Sequence, residues 1–304
     1  MKVLLVGALG FVGGRLSDFL KKKNLNIINI SRRKKFNFLR INWNSEKNIN
    51  NLCKNVDVVI NCSGLDIHGS KNKNKTFVAN SKNPLKLLKA SDLNGVKFFI
   101  HITTYAIYKK KNLSIINEKT KIVADDLHSS SKIEGENNLI KYPTKNTKLV
   151  IIRSCNLFGY PKYKNKNCWR LLINYIIKNC VFDKPLYIRT KKNTYKNYSS
   201  LESFCNFTYK LLRYLEKEKD LPKIINYTSN KNFSVTEIVD LVKKKIFKRD
   251  EKKKFKIYFT NKKLKKEKKI ILKSLYQHKI KSINDLFFDK EISNLINYCE
   301  KFKL

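Results

Sequence analysis

The apolar positions of the chain fall into short solid blocks separated by longer amphipathic stretches. Val3-Leu4-Leu5-Val6 is an unbroken apolar run closed by a glycine, which predicts a strand buried on both faces over Lys2–Val6. From Phe11 to about Lys22 the apolar residues recur at helical spacing and end in lysines, so a helix is expected directly after it. Ile27–Ile30 and Val56–Asn61 read as further buried strands, the first closed by Ser31-Arg32-Arg33 and the second by Cys62-Ser63-Gly64. Asn83–Ser91 reads as a helix, Lys97–Ile102 as a strand, Ser129–Ile140 as a helix and Leu149–Arg153 as a strand. Strands alternating with helices through short links predict an α/β fold built on a parallel, doubly wound sheet.

Beyond Gly159 the alternation loosens. Cys168–Asn179, Phe204–Leu215 and Ser234–Lys245 read as helices, the last opened by the capping box Ser234-Val235-Thr236-Glu237. Leu186–Ile188 and Lys256–Phe259 read as short strands, the second inside a lysine-rich run, Lys252–Lys269, expected to be a solvated loop. The expected organisation is a nucleotide-binding domain over residues 1–160, with a return segment near 186–215, and a smaller C-terminal lobe formed mainly by residues 161–304.

Three glycines give the first candidate chemistry. Gly7, Gly10 and Gly13 follow the first strand and open the first helix. The first allows a tight turn, the second lets backbone approach a pyrophosphate, and the third lets helix and strand pack closely. The helix start then offers free N–H groups and partial positive charge to the phosphates. This is a dinucleotide fingerprint, and the sheet is expected to be Rossmann-type. At the end of the second strand, where an acidic residue would hold the ribose hydroxyls of NAD, stands Ser31-Arg32-Arg33. Arg32 is suited to an adenosine 2′-phosphate, so the cofactor is expected to be NADP or NAD, with NADP favoured.

Charge first suggests a different partner. Lys and Arg total 66 against 24 Asp and Glu, a net charge of +42, which suits nucleic acid or an anionic membrane. The lysines, however, are spread along the whole chain in short runs from Lys21–Lys23 to Lys262–Lys269. Lys, Asn and Ile are abundant while Gly, Pro and Met are scarce, as in the translation of an AT-rich genome. The charge therefore reads as compositional drift, and a nucleic-acid partner is not expected. The hydrophobic fraction of 42% is that of a globular protein, and no apolar run is long enough to span a membrane. Seven cysteines without a C-x-x-C pair fit reduced packing thiols. With no signal peptide before the first strand, a cytoplasmic location is expected. His68, His101 and His278 have no ligand spacing, so no metal site is expected.

Taken in order, the segments resemble the extended short-chain dehydrogenase/reductase family, the NAD-dependent epimerases, dehydratases and reductases of nucleotide sugars. Gly7-x-x-Gly10-x-x-Gly13 has that family's spacing. Val58–Gly64 (VVINCSG) resembles the strand and turn against the cofactor, and Val78–Ala90 the helix opening with an asparagine, Asn80. Ile102–Tyr108 (ITTYAIY) resembles the catalytic Ser/Thr segment, and His128–Glu136 (HSSSKIEGE) resembles Y-x-x-x-K. Ile151–Gly159, Tyr195–Ser203 and Ile225–Val239 resemble, in turn, the R-P-x-N-V-Y-G turn, the Q-R-D-F-V-Y-V-D-D segment and the N-x-G-x-G-x-x-x-S-x-x-E segment. The resemblance implies Thr104, His128 and Lys132 as catalytic residues. It implies Gly7, Gly10, Phe11, Val12, Gly13, Arg32, Cys62, Ser63 and Lys132 against the cofactor, and Asn156 and Lys196 against the diphosphate of a nucleotide-sugar substrate. It also implies a role in surface polysaccharide synthesis and leaves a homodimer open.

The departures carry the functional question. The family's tyrosine is His128, and its substrate-clamping arginine and the neighbouring aspartate are Lys196 and Asn197. A neutral imidazole beside Lys132 can exchange the proton that the phenol would, though imidazole is shorter. The family's dehydratases carry an Asp-Glu pair after the Ser/Thr, whereas Tyr105-Ala106 follows Thr104 here. That leaves 4-epimerisation or ketone reduction. The alternative is a non-catalytic Rossmann-fold relative serving as an RNA- or protein-binding module.

Overall fold

The computed structural model describes residues 1–108, 113–190, 192, 194–217, 220–229, 232–251, 256–259, 270–280 and 287–302. The expected loop over Lys252–Lys269 therefore lies mostly outside the described residues. The first half begins with β1 (Lys2–Val6), α1 (Phe11–Lys22), β2 (Asn26–Ser31), β3 (Leu39–Arg40), α2 (Glu46–Cys53) and β4 (Val58–Asn61). Next come α3 (Lys73–Phe77), a π-helical turn (Val78–Lys82), α4 (Asn83–Leu93) and β5 (Phe98–Thr104). A 3-10 turn (Tyr105–Ile107) leads to β6 (Ile115–Ile116), α5 (Leu127–Lys141) and β7 (Lys148–Ser154).

The second half opens with β8 (Asn156–Phe158), a 3-10 turn (Asn167–Arg170), α6 (Leu172–Val181) and β9 (Leu186–Ile188). Then follow β10 (Lys196–Ser200), α7 (Leu201–Lys217), β11 (Ile224–Tyr227), β12 (Asn232–Phe233), α8 (Val235–Phe247), β13 (Ile257–Phe259), β14 (Ile271–Leu272) and α9 (Phe288–Phe302). The helix expected over Cys168–Asn179 is thus broken at Leu171, whose extended backbone (ψ 134°) separates the 3-10 turn from α6.

Among the described residues, seven parallel strands form the main sheet in the order β11-β7-β5-β4-β1-β2-β3. Side chains of a strand alternate between faces, and both faces here are apolar. Val3, Leu5, Val58, Ile60 and Val150 pack with Leu16 and Leu20 of α1 and with Phe204, Phe207 and Leu211 of α7. Leu4, Val6, Val59, Phe99 and Ile151 pack with Ile49 of α2, Leu87 and Leu88 of α4 and Leu139 of α5. The sheet is therefore doubly wound and Rossmann-type. Its strand order reverses between β1 and β4, and ligands of such sheets sit at the carboxyl ends of the strands flanking that reversal.

A second apolar core joins α6, α8 and α9. Ile173, Ile176 and Ile177 meet Val235, Ile238 and Val242, and Phe288, Ile292, Leu295 and Ile296 close over them. Ser234 and Glu237 form the expected capping box of α8. β9 pairs with β13, whereas β10 pairs with β8 and β12 beside this core. The chain returns to the main sheet through α7 and β11.

Candidate active site

The turn from β1 into α1 is shaped by what its glycines lack. Gly7 takes φ +86°, and a Cβ there would lie 2.9 Å from the Cys62 carbonyl carbon and the Ser63 nitrogen. A Cβ on Gly13 would run into the Gly7 carbonyl oxygen. The first hydrogen bond of the α1 ladder runs from Gly14 N to Gly10 O, 3.0 Å. The N–H groups of Phe11, Val12 and Gly13 therefore lie ahead of the ladder at the mouth of the helix. Gly10 has no side chain to cover them. This cradle fits a pyrophosphate.

Beside the cradle lies a cleft of about 710 Å³ along the ends of β1, β2 and β4. Gly7, Gly10, Arg32, Cys62 and Ser63, all expected at a cofactor, line it. Phe11, Val12 and Gly13 are not among its lining residues. Burial pushes the Cys62 thiol up to about 12, so it lines the cleft as a neutral group. The Ser63 amide and hydroxyl both donate to Asn61 Oδ1, at 3.0 and 2.6 Å, which fixes the turn after β4.

Thr104, His128 and Lys132, expected as catalytic residues, are not among the residues lining this cleft; Lys132 comes nearest, behind Gly64. Gly64, at φ +150°, lines the cleft, and a Cβ there would be 2.9 Å from Lys132 Nζ. The ammonium thus packs directly against Gly64. His128 lies one turn earlier on α5, on the same helix face. Thr104 ends β5 and caps the 3-10 turn against which α5 packs, its hydroxyl accepting from Ala106 N at 3.1 Å.

Electrostatics separate the two cations-to-be. Burial, reinforced by the Lys132 charge, pushes the His128 imidazole down to about 4, with Asp126 and Asp66 offsetting part of this. Burial also brings the Lys132 ammonium down to about 8, while Glu136 and Asp66 hold it up. At neutral pH a neutral imidazole therefore stands beside a charged lysine, an arrangement of proton acceptor and electrostatic partner.

α5 is held close by two devices. Asp126 and Ser129 form a capping box at its start. Farther along, Gly135 lies so near the Asn80 carbonyl oxygen that no Cβ would fit. Asn80, inside the π-helical turn, accepts from Leu65 N at 2.7 Å and donates to Ser131 Oγ at 3.0 Å. It thereby ties the loop after β4 to α5 on the same side as Lys132.

Sequence reasoning missed the buried ionic support. Glu136, one turn after Lys132, accepts from Arg153 Nε at 2.9 Å and Nη2 at 2.6 Å. Arg153 Nη1 donates to Tyr108 Oη, which donates to Asn226 Oδ1, at 2.9 and 2.7 Å. The i, i+4 spacing of Lys132 and Glu136 was the available signal. Asp66, whose charge acts on both His128 and Lys132, had none.

The residues expected at the substrate diphosphate arrive on β8 and β10. Asn156 donates to Tyr105 Oη at 2.8 Å and to the Asn197 carbonyl at 2.9 Å, linking the turn after Thr104 to β10. Lys196 is half-buried next to it. Asn197 is buried; its Nδ2 donates to the Ser229 carbonyl and its Oδ1 accepts from Ser229 N, at 2.6 and 3.0 Å. The amide thus fills a structural place.

The sequence model of the NAD dependent epimerase/dehydratase family matches residues 3–250. No curated protein matches the chain in sequence. Among solved structures, a UDP-glucose 4-epimerase superposes with a TM-score of 0.85 at 16% identity, covering 99% of this chain and 98% of its own. UDP-glucuronic acid 4-epimerase from Bacillus cereus, in complex with NAD, gives 0.82 at 18% identity, over 99% and 97%. UDP-N-acetylglucosamine 4-epimerase from Methanobrevibacter ruminantium M1, in complex with UDP-N-acetylmuramic acid, gives 0.83 at 16%, over 99% and 98%. At these identities the likeness shows the fold.

Proposed function

Because the chain belongs to the NAD dependent epimerase/dehydratase family, we propose that it is a nucleotide-sugar 4-epimerase with a bound nicotinamide dinucleotide and His128 in the proton-exchanging role. The observation that carries this reading is the contact behind Gly64, a residue of the cleft wall. There Lys132 Nζ stands against Gly64 and a neutral imidazole lies one turn away.

The glycine cradle and the N–H groups of Phe11, Val12 and Gly13 would hold the pyrophosphate, with Arg32 toward the adenosine ribose and the Cys62-Ser63 turn along one wall. When bound, the nicotinamide supplies reversible hydride exchange. His128 takes the proton of the sugar hydroxyl on its free ring nitrogen and gives it back. Thr104 Oγ1 orients that hydroxyl. Burial, reinforced by the Lys132 charge, keeps the imidazole from binding a proton of its own beforehand. Asn156 on β8 and Lys196 on β10 face the substrate diphosphate, Lys196 as a point charge in place of a guanidinium fork.

Tyr105 bears on the reaction class. It occupies the place next to Thr104 where elimination of water would need a carboxylate, and burial raises its pKa while its hydroxyl accepts from Asn156. Inversion at C4 is therefore favoured over dehydration, and over reduction by the named activity of the structural neighbours. The product would serve surface polysaccharide synthesis in the cytoplasm. The test is proton NMR of UDP-glucose, UDP-N-acetylglucosamine and UDP-glucuronic acid incubated with the protein. Appearance of a C4 epimer of one of them is expected; loss of water or no change in any would contradict the reading.

A further inference from the structure

Behind the cleft, two neighbouring strands meet in a buried polar pair. Asn61 closes β4, and His101 lies opposite it in register on β5, so their side chains project from the same face of the sheet. Both are fully buried. Asn61 Nδ2 and His101 Nδ1 lie 3.2 Å apart, while Asn61 Oδ1 meets the Ser63 amide at 3.0 Å and the Ser63 hydroxyl at 2.6 Å. Ser63 is half-buried and lines the cleft. The same sheet face carries Val59, Phe99 and Ile151, so an apolar side chain at 101 would serve packing as well. The proton exchange assigned to His128 does not use His101.

The direction of these bonds is fixed link by link. A backbone N–H only donates, so the Asn61 atom that faces the Ser63 amide is the oxygen. The Ser63 hydroxyl meets the same oxygen and must donate its one proton there. The other end of the Asn61 amide only donates, so His101 Nδ1 accepts and the ring proton sits on Nε2. Burial, reinforced by the Lys132 charge, pushes the His101 imidazole down to about 3, which keeps Nδ1 unprotonated. With its proton given to Asn61, the Ser63 hydroxyl offers the cleft lone pairs alone. Its place decides what can use them. A Cβ on Gly7 would lie 2.9 Å from Ser63 N, and Gly64, next along, stands against Lys132 Nζ. Ser63 thus sits between the pyrophosphate cradle and Lys132. The part of a dinucleotide between its pyrophosphate and its reacting ring is a ribose, whose hydroxyls can donate.

We propose that His101, acting through Asn61, is a positioning residue that holds the Ser63 hydroxyl as an acceptor for a ribose hydroxyl on the nicotinamide side of the cofactor. The proposal rests on the cofactor reading above. It goes further, because it gives a buried histidine, Asn61 and the proton of Ser63 one joint role. An apolar side chain at 101 would leave Asn61 Nδ2 buried without its acceptor. The amide would then turn toward another partner and no longer take the Ser63 proton.

Calorimetry of NAD⁺ binding to the full chain tests it, using wild type, Ser63→Ala, His101→Phe, His101→Gln and the double variant Ser63→Ala/His101→Phe. Loss of one hydrogen bond should weaken NAD⁺ by roughly three- to tenfold in Ser63→Ala and in His101→Phe. His101→Gln, whose side-chain oxygen can accept from Asn61, should recover most of that loss. In the Ser63→Ala background His101→Phe should add nothing, because both act through one hydroxyl. Histidine-selective nitrogen NMR of the wild type at pH 7 should show the His101 proton on Nε2 and Nδ1 bare. The NMR measurement and Ser63→Ala need no change at 101, so they decide the matter even where the Phe variant does not fold. Unchanged affinity in Ser63→Ala, a full further loss in the double variant, or a proton on Nδ1 overturns the proposal and leaves the cofactor reading standing. Failure of the wild type to bind NAD⁺ or NADP⁺ overturns both readings.

Discussion

The Arg15 guanidinium closes on the Glu291 carboxylate through hydrogen bonds of 2.7 and 3.1 Å, with both residues buried. One belongs to the helix that opens the glycine cradle and the other to α9, the last helix of the second core. Arg15 also donates to the Tyr160 carbonyl at 3.1 Å and lies 3.7 Å over that ring, while Glu291 accepts from Tyr160 N at 3.3 Å. Gly159, at φ +145°, packs so tightly on the Glu291 side chain that no Cβ would fit. The pair therefore fixes α9 and the turn after β8 against α1.

Removing one charge should be worse than removing both. Glu291→Gln leaves the guanidinium buried beside a neutral amide, with the Glu202 carboxylate at 3.9 Å as its remaining ionic partner, at a cost of roughly 3 kcal/mol. Arg15→Met with Glu291→Leu removes both desolvation penalties and should cost clearly less. Urea unfolding at pH 7 compares them, and a double variant weaker than the single would contradict the balance described here.

The site's pH profile should have an unusual shape. A histidine base works only when neutral, so activity is lost as pH falls through its pKa. With His128 pushed down to about 4, no acid limb should appear at the ordinary histidine value of 6.5. On the alkaline side the Lys132 ammonium loses its charge as pH rises through about 8, and turnover should decline there. Glu136→Gln removes a charge that holds Lys132 up, so the alkaline limb should move to lower pH. Turnover against pH, for wild type and this variant, reads both limbs; an acid limb near 6.5 would show an exposed, unperturbed imidazole.

The parts of the fold legible in sequence were those whose pattern is local. β1 and α1 end where the apolar block, the glycines and the lysines say they should. β11 escaped because its Ile224-Ile225 pair is followed by Asn226, a buried polar residue made tolerable only by Tyr108, Glu118 and the Lys273 carbonyl. α9 has Phe288, Ile292, Leu295 and Ile296 at helical spacing, yet Asp289, Lys290 and Glu291 between them read as solvent-facing. Glu291 is instead fully buried by a partner 276 positions away. The glycine cradle and the Thr104, His128 and Lys132 set were readable as motifs. The hold of residues 162–163 on α1 and on the loop before β3 was not, because Lys162 looks like every other lysine until its bond to Asp18 and the Tyr163–Phe38 ring contact are seen.

The most direct measurement is turnover of wild type, His128→Phe and His128→Tyr on UDP-sugars, with cofactor affinity followed in parallel. If the imidazole at 128 moves the proton, the wild type turns over. The Phe variant should then lose on the order of a hundredfold or more, as expected for a lost general base, while its cofactor affinity holds. An active wild type matched by an equally active Phe variant would contradict it.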